Sequence, residues 1–331
     1  MFNNSTKNQH YIAQVEQKLN AINPKAKRER RKIFEYKIVD RELDTYQKTK
    51  PYGVEIEHNL SFNDLYTFEI FDDKTRNNFE IFFNKYENKI ENLTNDFINK
   101  SLNSAPITEN DFFELFTCKF INFLRNPFSI KKIINTYSNS LNYYPLDSNL
   151  KREFDKINAE NPLIASLSLD DLNISQGEYI NWLKIIFINL AIEMNGESIT
   201  KNLMQILFNK ENKVVLLKLN LYDDEICLLS DRGYVDQSML FPEAFCMSFN
   251  LTKSAFITVI TLENTISALR KVNLGLTPCL EALERNGLTK MEISNLDLVV
   301  EKNNLDMLSA YNSTVRYQCH KNFYSAHDTF L

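Results

Sequence analysis

The sequence predicts an α+β fold, in which a helical layer from the middle of the chain packs on a mainly antiparallel sheet formed by N-terminal and C-terminal strands. Apolar residues recur at three and four residue steps from about residue 78 to residue 208. Short β-branched and aromatic runs follow residue 209, and a similar run lies near residue 33. Hydrophobic residues are 44% of the 331, which is enough for a sizeable core and excludes a wholly disordered chain.

Residues 1–60 are predicted to be a basic segment with one short strand. Residues 1–50 hold 12 Lys and Arg against 6 Asp and Glu, a net charge of +6, so the total of −5 leaves −11 for the other 281 residues. The strand is predicted at residues 33–39. Directly before it stands a run of basic residues that we expect to contact phosphates if the protein binds nucleic acid, namely Lys25, Lys27, Arg28, Arg30, Arg31 and Lys32. A solvated charged face is the alternative.

Residues 61–210 are predicted to contain about five helices. An apolar stripe predicts the first over residues 78–102. Thr108 stands at the N-cap position of the second, which runs to Arg125, and Pro127 ends that helix and begins the next. Ser175 and Glu178 have the spacing of a capping box before a fourth helix, and residues 197–208 form another amphipathic segment.

Residues 211–331 are predicted to be rich in strands and to end in a helix. The runs 214–219, 226–229, 245–249 and 255–260 predict an antiparallel sheet, with Asp223 and Asp224 as a hairpin turn between the first two. The terminal helix is predicted from about Leu296 to Tyr317. Neither an internal repeat nor a Ser/Pro/Gly linker occurs, so residues 1–331 are predicted to form one domain.

Glycine and cysteine usage exclude several classes of protein. The chain has six Gly and neither GxGxxG nor GxxxxGK[ST], which excludes a Rossmann dinucleotide site and a P-loop. Five cysteines without a CxxC pair, and no apolar run like a signal peptide, predict reduced thiols in a cytoplasmic protein: Cys118, Cys227, Cys246, Cys279 and Cys319. The longest apolar stretch, 179–192, is too short and polar to span a bilayer, so no membrane partner is expected.

Several short motifs follow one another along the chain. They are Asn8-Gln9-His10-Tyr11-Ile12-Ala13-Gln14, Asp64-Leu65-Tyr66-Thr67, Tyr86-Glu87, Phe120 to Pro127 with Arg125-Asn126-Pro127, Leu228 to Val235 with Ser230-Asp231-Arg232-Gly233, Met247 to Asn250, and Tyr311-Asn312. In this order the chain resembles the uncharacterised bacterial family DUF-4238. It departs from the family pattern at Gln9, where a second His is frequent, at Ala13, where Pro is expected, and at Gly233-Tyr234, where Asn-Pro is expected.

The resemblance implies candidate catalytic residues. His10 is the titratable residue with a pKa nearest neutrality, and the family motif associates it with Gln14, which lies one helical turn further on if this segment is helical. Arg125 stands at a helix end, where it either offsets the helix dipole or binds a phosphate, and Glu87 is its candidate buried partner. Asp231 follows an apolar run, where it acts as a base or metal carboxylate, or forms an Asx turn.

Other residues are not predicted to carry chemistry. His320 and His327 lack metal-ligand spacing and are predicted to be polar residues near the terminus, and Cys319 beside His320 does not form a dyad. No metal site is predicted from a motif. The sequence identifies no cofactor, and a divalent metal is the candidate if the protein is a nuclease.

Two functions remain open. Family members are similar to proteins of bacterial accessory and phage-defence gene sets, which implies a defence or toxin-type effector acting on nucleic acid, such as a nuclease. The alternative is a non-catalytic recognition or regulatory protein that binds a protein or nucleic-acid partner through the same polar groups.

Overall fold

The computed structural model describes residues 2–71, 75–158, 169–194, 196–209, 212–238, 244–271, 281, 284–287, 289 and 297–331. These residues have an α+β fold, as the sequence predicts. Cys279 and Leu296, which enter the predictions for the thiols and for the terminal helix, lie outside the described residues. Among the described residues, no helix combines the length and the apolarity needed to cross a membrane.

The longer helices lie mostly in the middle of the chain. In order they are α1 Gln14–Leu19, α2 Glu80–Leu102, α3 Glu109–Arg125, α4 Ile130–Thr136, α5 Ser148–Asn158, α6 Leu169–Leu172, α7 Gln176–Ala191, α8 Ile199–Leu207, α9 Ile266–Lys271 and α10 Leu305–Gln318. Short 3₁₀ turns span Arg28–Arg30, Ile56–His58, Pro127–Ser129 and Ser138–Asn142.

The strands lie on both sides of this helical region. They are β1 Asn3–Asn4, β2 Asn8–His10, β3 Lys32–Asp40, β4 Thr45–Lys48, β5 Val54–Glu55, β6 Ser61–Asn63, β7 Thr67–Ile70, β8 Arg76–Asn78, β9 Glu193–Met194, β10 Glu197–Ser198, β11 Lys213–Leu221, β12 Leu229–Ser230, β13 Val235–Asp236, β14 Ala244–Thr252, β15 Ala255–Glu263, β16 Asp297–Lys302 and β17 Asn322–Ser325.

Two five-stranded sheets organise these strands. One has the order β13-β14-β15-β11-β16 and is antiparallel except for the parallel pair of β11 and β16. The other has the order β12-β17-β3-β4, with β5 also paired to β3. It joins the strand predicted after the basic run to the C-terminal end of the chain, as expected for a sheet built from both ends. A small pair, β2 with β6, sets His10 opposite Ser61.

The N-cap predicted at Thr108 and the capping box predicted at Ser175 and Glu178 are confirmed, and the N-cap of α3 also proves to be part of a capping box. Thr108 Oγ1 accepts a hydrogen bond from Asp111 N–H, while the Asp111 carboxylate accepts one from Thr108 N–H. Ser175 and Glu178 make the same exchange at the start of α7. Each box satisfies backbone N–H groups that have no partner within the helix, which fixes where the helix begins.

Helix α7 lies in the main core and is apolar on nearly all sides. The side chain of Trp182 is fully buried, and its indole N–H donates to the carbonyl of Leu124 at 2.8 Å. Tyr179 is also buried and donates to the carbonyl of Leu65 at 2.7 Å. Their polar ends are thus satisfied by backbone carbonyls from two other segments, which joins α7 to the end of α3 and to the segment before β7.

The predicted hairpin at Asp223-Asp224 is wrong. Its second strand is reduced to Leu229–Ser230, which pairs with β17 and not with β11. The reason lies in α10, whose Asn312 side chain accepts from Leu228 N–H and donates to the carbonyl of Ile226. The backbone of the predicted strand is therefore bonded to helix side chains instead of to a neighbouring strand.

The terminal helix is also shorter than predicted. Residues 297–302 form β16, and α10 begins only at Leu305. Leu298 and Val300 pack against the main core while Val299 is exposed, so this segment has the alternation of an edge strand. The region 61–210 likewise opens with strands, β6 to β8, before α2, although a helical region was predicted from residue 61.

Candidate functional site

A cleft of about 610 Å³, which we call the His10 cleft, lies between the N-terminal segment and α2. Its walls are the β2–α1 connection, the turns Arg28–Arg30 and Ile56–His58, and one face of α2. The α2 residues that line it are spaced so that they share one face of the helix, namely Glu80, Asn84, Glu87, Asn88 and Glu91. The cleft therefore brings the predicted His10 motif and part of the basic run to the same side of α2.

His10 is the last residue of β2, and Gln14 is the first residue of α1. Because the chain turns at Ala13, the Gln14 amide nitrogen comes to 3.2 Å from His10 Nε2. Ala13, where the family pattern has Pro, is buried with φ −51°, close to the value that proline imposes. The departure at this position therefore leaves the turn in a proline-compatible conformation.

Burial decides the protonation of His10, which is 9% exposed. The pKa of His10 is lowered to about 4, mainly by loss of hydration and also by Arg125, against the opposite effects of Glu87 and of backbone hydrogen bonds to Ile56 and Glu57. A hydrogen bond raises the pKa of a histidine when the ring N–H donates it, so a ring N–H of His10 is the donor in these backbone bonds. At neutral pH the ring is thus uncharged, which leaves one nitrogen with a lone pair.

The predicted Glu87–Arg125 ion pair is confirmed. Arg125 at the end of α3 is 1% exposed, and its Nη1 lies 2.5 Å from Glu87 Oε1. Its guanidinium also donates to Asn122 Oδ1 and lies over the ring of Phe83. Glu87 lines the cleft, whereas Arg125 lies behind it and does not. Arg125 therefore acts on the cleft through Glu87 and through its charge.

Glu80 is a cleft residue that the sequence reasoning missed. It begins α2, is 9% exposed, and its Oε1 is buried with no hydrogen-bond partner among the described residues. The pKa of Glu80 is raised to about 8, mainly by burial and also by the charge of Glu87, while Arg125 opposes both. Its carboxyl group is therefore mostly protonated at neutral pH. The one available signal was its spacing of seven residues from Glu87, which places both on the same face of the helix.

The basic run lies at one edge of the cleft. Lys25, Lys27, Arg28 and Arg30 are exposed, and Arg31 and Lys32 are half-buried. Arg28 and Arg31 line the His10 cleft, and the other four do not. The 3₁₀ turn explains this selection, because side chains three residues apart in such a turn lie above one another. Ile56 N–H donates a hydrogen bond to the Arg31 carbonyl, and this bond holds the Arg28–Arg30 turn beside the Ile56–His58 turn.

Asp231 lies outside the His10 cleft. Its carboxylate accepts backbone N–H groups from His320 at 2.7 Å, Lys321 at 2.8 Å and Asn322 at 2.9 Å. Burial raises the pKa of Asp231, while these three bonds oppose the rise. The side chain thus holds two segments of backbone together, and His10 and Asp231 do not meet in one cleft.

Gly233 follows Asp231 in the same loop. Its φ is +75°, and a Cβ there would lie 2.6 Å from Ile12 Cδ1. The positive φ favours glycine, and any larger residue would also require the end of the Ile12 side chain to shift.

The side chains of the described residues include no group of three or more His, Cys, Asp and Glu arranged to hold a metal ion. The candidate divalent metal thus has no ligand set within that part of the chain. Comparisons of the sequence with family models and with curated proteins, and of the fold with solved structures, found no match. A function for the chain has to be inferred from the chemistry of the cleft.

Proposed function

We propose that this protein is a nuclease-type hydrolase whose active site is the His10 cleft, with His10 as general base and Glu80 as general acid. The observation that carries the proposal is that the two groups line one cleft and have pKa values displaced in opposite directions, to about 4 and about 8. Two titratable groups whose environments separate their pKa values in this way are the usual basis of paired acid and base roles.

The reaction would proceed by transfer of two protons. His10 takes the proton of the attacking hydroxyl, from water or from the substrate, and Glu80 gives its proton to the oxygen that leaves phosphorus. With the other ring nitrogen donating to backbone, Nε2 carries the lone pair, and the substrate hydroxyl takes the place of the Gln14 amide beside it. The step leaves an imidazolium and a carboxylate, which exchange protons with solvent to restore the starting state.

The basic rim supports a phosphate-containing substrate. Arg28 and Arg31 enter the cleft from one side, and a guanidinium can donate two hydrogen bonds to two oxygens of one phosphate. The net charge of +6 in residues 1–50 lies next to a body of −11, so a polyanion would be attracted to this edge. Arg125 is a positioning residue in this proposal, because it holds Glu87 and does not reach the cleft.

The biological setting is proposed from the resemblance in motif order. It supports a bacterial defence or toxin-type effector that acts in the cytoplasm. The four cysteines among the described residues are free and buried, which is compatible with a reducing compartment.

A non-catalytic recognition protein is the second candidate. The observation that favours it is the use of Asp231 and Arg125 for internal bonds, since two of the five predicted catalytic residues then serve the fold. In that case the cleft binds nucleic acid or another partner without cleaving it.

Cleavage and binding should be measured separately. End-labelled single-stranded RNA and DNA oligonucleotides are incubated with wild type, His10→Gln, Glu80→Gln and the exposed control His327→Gln, and binding is followed in parallel by fluorescence anisotropy. We expect each cleft variant to lose about 100-fold or more in cleavage rate, with binding retained. Wild type that binds without cleaving would establish the recognition function instead, and cleavage that survives both substitutions would refute the assigned roles.

A further inference from the structure

A second cavity, of about 510 Å³, is separate from the His10 cleft, and we call it the Arg232 cavity. Its walls come from the loop after β12, the end of α10 and the first turn of α4. The charged and polar residues that line it include Arg41, Lys132, Arg232, Asp236 and His320, so cations outnumber carboxylates. None of its lining residues lines the His10 cleft.

Asp231 builds this cavity. Its side chain binds the N–H groups of residues 320–322, and its own carbonyl accepts from the Asn126 amide. The two residues that this clamp places in the wall are Arg232, the next residue in the chain, and His320, whose N–H is one of the bound groups. A buried carboxylate held by three backbone donors keeps both side chains at fixed positions.

The His320 ring is held by stacking. Its centroid lies 4.2 Å from that of Phe128, with an angle of 12° between the planes. The surrounding groups leave its Nε2 buried and without a hydrogen-bond partner among the described residues. Loss of hydration and the charges of Arg232, Lys321 and Arg41 lower the pKa of His320 to about 4, so the ring is neutral and one nitrogen carries a hydrogen to donate.

The three cations of the cavity differ in the partners that they have within the protein. Arg41 donates to the carbonyls of Tyr317 and His320, which caps the end of α10. Lys132 is paired with Asp236 and lies over the Tyr234 ring. Arg232 Nε has no hydrogen-bond partner among the described residues. Arg232 and His320 thus both line the cavity, each has one buried nitrogen without a hydrogen-bond partner among the described residues, and three cations there stand against one carboxylate, an arrangement that a bound anion would stabilise.

We propose that the Arg232 cavity binds a phosphate group, with Arg232 as the bidentate donor and the His320 ring as a further donor. Phosphate fits because it offers several acceptor oxygens to a guanidinium fork, and because the residual charges of Arg41 and Lys132 favour a dianion over a single carboxylate. The group can belong to free phosphate or to a mononucleotide, whereas a backbone phosphodiester carries only one negative charge and is expected to bind less tightly. The inference does not depend on catalysis in the His10 cleft.

Calorimetric titration of the full chain tests the proposal, with inorganic phosphate, a nucleoside 5′-monophosphate and a single-stranded oligonucleotide as separate ligands in about 10 mM buffer, where screening is weak. The variants are Arg232→Gln and His320→Phe, which keeps the stacked ring and removes the donor. Arg152→Gln, an exposed arginine on α5, is the control for loss of one positive charge. Circular dichroism establishes that each variant is folded.

Saturable binding of phosphate by wild type and by Arg152→Gln is expected, with affinity reduced about tenfold or more in each cavity variant, because hydrogen bonds to charged groups are the stronger ones. The ligand bound most tightly identifies the source of the phosphate. The proposal is refuted if inorganic phosphate and the mononucleotide both fail to bind wild type. It is also refuted if they bind both cavity variants with the same affinity as the control. Cleavage by the His10 cleft is a separate measurement and can succeed or fail independently.

Discussion

Substitution of Glu80 by Gln gives a direct test of the protonation state on which the proposed acid role rests. Glutamine has nearly the same shape as a protonated glutamate but does not titrate. The pKa of Glu80 is raised from the ordinary value of 4.5 to about 8 in the folded protein, mainly by burial and also by the charge of Glu87, while Arg125 opposes both. The unfolded chain therefore releases this proton at a lower pH than the folded protein does.

The sign of the effect on stability follows from this difference. Below about pH 4.5 both states are protonated and Glu80 causes no loss of stability. Between pH 4.5 and pH 8 the folded protein holds one proton more than the unfolded chain. The free energy of unfolding of wild type therefore falls by about 1.4 kcal/mol per pH unit because of Glu80. At pH 7 the loss is about 3 kcal/mol, and it grows by a similar amount from pH 5 to pH 8.

Urea unfolding of wild type and Glu80→Gln at several pH values between 5 and 8 measures the difference. The free energy of unfolding of the variant should rise relative to wild type along this slope. A constant offset is also expected, because the glutamine amide must find partners in the same site. The exposed Glu42→Gln measures the general effect of removing a negative charge. If the difference in free energy of unfolding between the variant and wild type stays constant from pH 5 to pH 8, Glu80 is not held neutral. Its proposed role as general acid would then be refuted.

Three further predictions concern the His10 cleft, the bonds of Asp231, and a buried ion pair that Lys119 on α3 forms with Glu16 on α1. The rate of cleavage should be high between about pH 4 and pH 8 and fall on both sides, because neutral His10 and protonated Glu80 coexist only there, as a pH–rate profile would measure. Asp231→Asn should lower the free energy of unfolding by about 3 kcal/mol in urea titrations, since an amide cannot accept all three backbone N–H groups, whereas exposed Asp224→Asn should have little effect. Lys119→Met should cost about 3–5 kcal/mol because it leaves Glu16 buried without its cation, and Glu16→Gln in the same chain should recover part of this loss.

The elements that could be predicted from the sequence are those whose stability is local. Helices α3 and α7 begin where a capping residue and an acid three positions later satisfy backbone donors, and both partners lie within four residues. The errors occur where backbone groups find partners far along the chain. Asn312 makes hydrogen bonds to residues 226 and 228, which lie more than eighty residues before it in the chain. No local sequence pattern indicates such a contact.

The residues of the candidate site also divide into those that could be predicted from the sequence and those that could not. The association of His10 with Gln14 and of Glu87 with Arg125 was predicted. The helical spacing expected for the first pair is wrong, because His10 ends β2 and the chain turns before Gln14 begins α1. The second pair joins a charge at a helix end to a charge on a neighbouring helix. Glu80 was missed because nothing in its neighbours along the chain shows that it is buried. Its pKa depends on the segments that cover α2, which is a property of tertiary packing.

Asp231 and Glu80 show why residue type alone could not assign the catalytic roles. Both carboxyl groups are buried, but the oxygens of Asp231 accept three backbone N–H groups, while one oxygen of Glu80 has no hydrogen-bond partner among the described residues. A carboxylate whose oxygens are occupied by donors of fixed position is poorly placed to accept a proton from a substrate. A neutral carboxylic acid that lines a cleft retains a proton to give. The proposed chemistry therefore follows the distribution of hydrogen-bond donors around each carboxyl group, and it selects Glu80 over Asp231.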